Sequence, residues 1–129
     1  MIGPYFDGGR VLDLYAGSGG LSIEAVSRGM SHAVLVERDR KAQAIIAENI
    51  QMTKEVSKFQ LLKMEAERAL EHVNGPFDLV FLDPPYAKEQ IVADIEKMAE
   101  RNLFSQEVMV VCETDKSTQI GRASCRERV

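Results

Sequence analysis

The feature that most constrains this chain is its alternation of short, β-rich apolar runs with stretches of helical period. Arg10-Val11-Leu12-Asp13-Leu14-Tyr15 reads as a strand, and the glycine-rich turn Ala16-Gly17-Ser18-Gly19-Gly20 leads into a helix from Leu21 to Arg28 that Gly29 ends. A second strand, His32 to Glu37, follows at once, and Arg38 to Met52 makes the next helix, with Ala42, Ile45, Ile46 and Asn49 at helical spacing. Then come a shorter strand over Phe59 to Lys63, a short helix over Glu65 to Val73, and a strand over Phe77 to Leu82 opened by the turn pair Gly75-Pro76. Ile91, Ile95 and Met98 carry a helix over Glu89 to Arg101, and Glu107 to Glu113 is a fifth strand. Strands that alternate with helices pair in parallel, because each return connection must cross a face of the sheet. The expectation is an α/β fold with a parallel sheet covered on both faces.

Length and charge narrow the classes of function. The 129 residues suit one domain with one core. No apolar run approaches the ~20 residues of a membrane helix, and Met1-Ile2-Gly3-Pro4 lacks the charged-then-apolar plan of a secretion signal, so the chain is expected in the cytoplasm and off the membrane. Cys112 and Cys125 form neither a metal spacing nor a disulfide framework, and no metal is expected. A net charge of -4 argues mildly against a nucleic-acid partner. The last ten residues, Ile120 to Val129, have neither strand nor helix period and look like read-through of a sequencing adapter. The expected division is therefore a domain over 1–119 and a non-native tail over 120–129. That tail holds three Arg and one Glu, so without it the formal charge is -6.

Two constellations carry chemistry. The first is Asp13-Leu14-Tyr15-Ala16-Gly17-Ser18-Gly19-Gly20, set between strand and helix, where glycine lets backbone approach a ligand and the helix amino end offers free NH groups. Glu37 ends the next strand, where a carboxylate can accept from both ribose hydroxyls of an adenosine. Taken singly, the glycines make a tight turn and Glu37 a solvated strand-end acid. Together they suit any adenosine-containing cofactor. A dinucleotide fingerprint also wants a sixth-position glycine, but Gly17 and Gly19 are followed there by Ser22.

The second constellation is Leu82-Asp83-Pro84-Pro85-Tyr86, at the carboxyl end of a buried strand, the edge where open α/β sheets bind ligands. Pro84 holds Asp83 out of the α region, and neither Pro84 nor Pro85 can donate a backbone NH. What remains is a stiff cluster of acceptors, the Asp83 carboxylate and the Pro84 carbonyl, beside one aromatic ring.

Val11 to Gly19 resembles the first motif of class I S-adenosylmethionine-dependent methyltransferases, and Asp83-Pro84-Pro85-Tyr86 resembles the amine-methylating motif of that superfamily. With Gly20-Leu21-Ser22-Ile23-Glu24-Ala25, the chain up to about Lys116 is most similar to the bacterial 16S rRNA guanine-N2 methyltransferases. The resemblance implies a Rossmann-like class I methyltransferase fold with sheet order 3-2-1-4-5. It also implies S-adenosylmethionine as cofactor, bound by Asp13, Tyr15, Ala16, Gly17, Ser18, Gly19, Glu37, Arg38, Glu65 and Ala66, with Asp13, Ala16 and Gly17 lining its methionine portion. Glu37 would take the ribose, and Glu65 with Ala66 would flank the adenine. Tyr15 stands where many class I enzymes have glycine, and Glu65 where Asp is commoner. In the implied reaction, Asp83 and the Pro84 carbonyl each accept one NH of the guanine amine and so localise its lone pair, while Tyr86 stacks on the base. The implied partner is 16S rRNA within the small subunit or its assembly intermediate, met by a monomer. Lys41, Lys54, Lys58, Lys63, Lys88 and Lys97 are scattered and form no basic surface. The resemblance implies a basic segment before the first strand and further strands after the fifth, and both are expected outside this chain. An adenine-N6 or glutamine-amide methyltransferase, and a non-catalytic Rossmann nucleotide-binding module, are the competing readings.

Overall fold

A computed structural model of the chain describes residues 7–83 and 88–112. The elements run β1 (Arg10–Asp13), α1 (Gly20–Ser27), β2 (His32–Val36), α2 (Arg40–Thr53), a 3-10 turn (Val56–Lys58), β3 (Phe59–Leu62), α3 (Ala66–Ala69), β4 (Phe77–Leu82), α4 (Lys88–Glu100) and β5 (Phe104–Cys112). All four strand pairs are parallel, in the order β3-β2-β1-β4-β5. This is the expected doubly wound, Rossmann-like sheet, with β1 at its centre. Each strand alternates between two cores. Leu12, Val34, Val80 and Val110 pack under α3 and α4 with Leu70, Ile95 and Met98, whereas Val11, Ala33, Leu35 and Phe81 pack under α1 and α2 with Ala25, Val26, Ile46 and Ile50. Strands buried on both faces explain the unbroken apolar runs in the sequence.

Most expected boundaries move by one or two residues, and three shifts have a clear physical setting. β1 ends at Asp13, but the ladder continues into the loop, where the Leu14 NH donates to Phe81 O at 3.2 Å and the Ala16 NH to Val36 O at 3.0 Å. The helix expected over Glu65 to Val73 is helical only over Ala66–Ala69, and the Arg101 guanidinium donates to the carbonyls of Leu70 and Val73 beyond it. β5 begins at Phe104 instead of Glu107, because Phe104 pairs with Phe77 before a register shift brings Met109 opposite Leu79. No described helix is long and apolar enough to cross a membrane. The tail over 120–129 lies outside the described residues.

Candidate active site

The carboxyl ends of β1, β2 and β4 open onto a cleft of about 320 Å³. Its lining includes Tyr15 and Gly17 from the loop after β1, Glu37 and Arg38 after β2, Glu65 and Ala66 at the start of α3, and Asp83 directly after β4. Two constellations far apart in sequence therefore share one cavity, because the parallel topology delivers every strand's end to the same edge.

The loop after β1 is held from three sides. Gly17 sits at φ +62° and donates its NH to Glu37 Oε1 at 2.8 Å, while the other oxygen of Glu37 accepts from the Asp39 NH at 3.0 Å. Glu37 is thus aimed by backbone donors on both sides. Asn49, on α2, donates its Nδ2 to Ser18 O at 2.9 Å. Of the glycines in this loop, Gly19, at φ +82°, has the least room for a side chain: a Cβ there would stand 3.1 Å from Leu35 Cδ2. Asp39 caps α2 by accepting from the Ala42 NH at 2.9 Å, and Gln43 Nε2 donates to Glu37 O at 2.8 Å.

Asp13 is 3% exposed and accepts a hydrogen bond from Ser22 Oγ at 2.8 Å. Burial, with repulsion from Glu37 and Asp83 adding to it, pushes this carboxyl up to about 7, and the Ser22 hydroxyl opposes that rise. Ser22, the residue that breaks the dinucleotide fingerprint, is fully buried at the foot of α1 and serves Asp13.

The structure brings Tyr15, Gly17, Glu37, Arg38, Glu65, Ala66 and Asp83 to the cleft. Asp13 lies beneath it, and Ala16, Ser18 and Gly19 shape the loop without lining it. Pro84, Pro85 and Tyr86 lie outside the described residues. Arg38 and Glu65 form an ion pair of 3.9 Å across the rim, with both side chains more than half exposed, so its contribution is small. Residues the motifs did not single out also line the cavity: Leu14, Val36 and Met64 as apolar wall, and Glu67 and Gln90 as polar wall. Gln90 donates to Asp94 Oδ1 at 2.9 Å, and Tyr15 Oη donates to Asp94 Oδ2 at 2.6 Å. Asp94 is 3% exposed. Burial raises its carboxyl above the ordinary range against the pull of those two donors, and burial beside Asp94 likewise raises the Tyr15 phenol.

Comparison with known proteins places this geometry in a lineage. YlbH of Bacillus subtilis, provisionally named an rRNA methyltransferase, is 41% identical over 123 residues, which are 93% of this chain and 67% of that protein. Ribosomal RNA small subunit methyltransferase D of Escherichia coli K12 is 26% identical over 88% of this chain and 57% of its own length. A solved structure of a conserved hypothetical protein from Streptococcus pyogenes superposes with a TM-score of 0.86 at 75% identity, covering 89% of this chain and 72% of that one. The chain thus spans roughly three-fifths to two-thirds of the curated relatives' length. The model of the family described as conserved hypothetical protein 95 matches residues 1–127, and the chain belongs to that family.

Proposed function

We propose that this chain carries the cofactor site and the acceptor carboxylate of an S-adenosylmethionine-dependent enzyme that methylates the exocyclic N2 amine of a guanine in 16S rRNA. One observation carries the reading: a glycine-loop cofactor pocket and the exposed Asp83 carboxylate open onto the same cleft. The names of the relatives point the same way, toward ribosomal RNA methylation.

The lining chemistry fits that cofactor. Among the described lining residues, Glu37, Glu65, Glu67 and Asp83 are acidic and Arg38 alone is basic. Such a wall favours a sulfonium with its ammonium group and disfavours the pyrophosphate of a dinucleotide. The apolar side, Leu14, Val36, Met64 and Ala66, suits a purine ring. When bound, the cofactor supplies an electrophilic methyl group to an in-line displacement. The chain's own work is positioning and electrostatics. Glu37 accepts from the ribose hydroxyls, exchanging its present bonds to Gly17 and Asp39 for them in part. Asp83 accepts one NH of the guanine amine, and the Pro84 carbonyl the other, which aims the nitrogen lone pair and stabilises the charge that grows on nitrogen. The proton released from that nitrogen passes to Asp83 or to water. Tyr86 stacks on the base, a contact worth about 1–3 kcal/mol. The protein works as a monomer in the cytoplasm on the small subunit or its assembly intermediate.

Calorimetry tests the cofactor half of this reading. Saturable binding of S-adenosylmethionine with no heat from NAD is expected. Binding of NAD alone would return the chain to a nucleotide-binding module.

A further inference from the structure

The Tyr15–Asp94–Gln90 cluster does something that neither the family resemblance nor the cofactor geometry assigns. α4 does not need Asp94 to dock, because Met98, fully buried, and Ile95 already seat the helix on the sheet. A buried carboxylate at this position is costly unless both oxygens are used. Both are used here, and on two side chains that line the same cleft: Tyr15, from the loop after β1, and Gln90, from the first turns of α4. One carboxylate thereby joins the loop that would hold the cofactor to the helix beside it in the cleft lining.

We propose that Asp94 is a positioning residue: it locks Tyr15 and Gln90 together as one rigid wall, and so fixes the spacing between the cofactor loop and α4. The inference rests on the cofactor site proposed above but not on the identity of the acceptor. Errors in position near 1 Å cost turnover far more than they cost binding of either partner. Breaking the lock should therefore act on kcat.

The test is a double-mutant cycle with Tyr15→Phe, which removes one bond, and Asp94→Asn, which replaces one acceptor oxygen by a donor; both keep the volume of the side chains nearly unchanged. Each single variant should lower kcat about tenfold while the dissociation constant for S-adenosylmethionine changes by less than about threefold, and the double variant should be no slower than the slower single. Losses that multiply in the double variant, an unchanged kcat, or a fall in kcat matched by an equal fall in cofactor affinity would each overturn the proposal. If Asp94→Asn does not fold, Gln90→Ala takes its place in the cycle with the same criteria. The cycle is read on whichever acceptor the parent protein methylates, so a wrong acceptor leaves it intact. If the parent methylates none, hydrogen exchange decides. S-adenosylhomocysteine should slow exchange of the α4 amides in the parent protein but not in Tyr15→Phe, and equal protection in both would refute the lock.

Discussion

Asp13 and Asp83 stand at the carboxyl ends of neighbouring parallel strands, yet their surroundings differ. Asp83 is exposed at the cleft, whereas Asp13 is buried and bonded to Ser22. Asp83→Ala is expected to slow transfer by about a hundredfold or more while cofactor affinity holds within about threefold. Glu37→Ala should do the reverse, weakening the cofactor by about ten- to a hundredfold with a smaller loss in kcat. Calorimetry beside single-turnover kinetics separates the two, and equal loss of cofactor affinity in both variants would contradict the division. Asp13 makes a statement about stability. Its folded pKa, about 7, lies above its ordinary 3.8, so between those values the folded state holds a proton that the unfolded state has released. Stability from this group is therefore present below about pH 4 and is lost as pH rises toward 7, the opposite of the usual aspartate, by an amount on the order of 1–4 kcal/mol. Asp13→Asn should flatten that decline in urea titrations run from pH 4 to pH 8; an unchanged slope would mean that Asp13 is ionised throughout.

At the scale of elements, what the sequence made legible follows burial. β2 and β4 read cleanly because both faces of each are covered, whereas the start of α2 did not: the expected helix began at Arg38, but Asp39 caps a helix that starts at Arg40. Asp39→Ala should cost about 1 kcal/mol in urea unfolding, by leaving the Ala42 NH without its acceptor. α3 misled because Ala66, Ala69, Leu70 and Val73 are buried at helical spacing, although the chain leaves the helix after Ala69. Periodicity reports which side is buried, and a turn pinned by Arg101 satisfies it as well as a helix does. β5 misled in the other direction: the alternation starts at Glu107, but pairing starts at Phe104, before the register shift. The glycine loop after β1 and Asp83, which share one cleft, were legible as motifs with strict spacing. Asp94 was not, since a lone acid on an amphipathic helix looks like solvated surface until Tyr15 is seen to reach it.

For the whole molecule, the central sheet divides the interior into two cores that share no helix. Ile46 lies in one and Met98 in the other, both fully buried. Ile46→Ala and Met98→Ala should each cost about 2–5 kcal/mol and, with no shared partners, should add to within about half a kcal/mol. A deficit in the double variant would mean that the sheet transmits repacking from face to face. The parallel topology that separates the cores also gathers Glu37 and Asp83 at one edge, and the central claim is that this edge performs methyl transfer to guanine. The measurement that tests it most directly supplies the full gene product with methyl-labelled S-adenosylmethionine and small ribosomal subunits from cells lacking the modification, then digests the RNA and identifies the labelled nucleoside. Label in N2-methylguanine is the expected result. Label in N6-methyladenine or in protein would contradict the acceptor, and no label from a folded protein that binds the cofactor would contradict the claim itself.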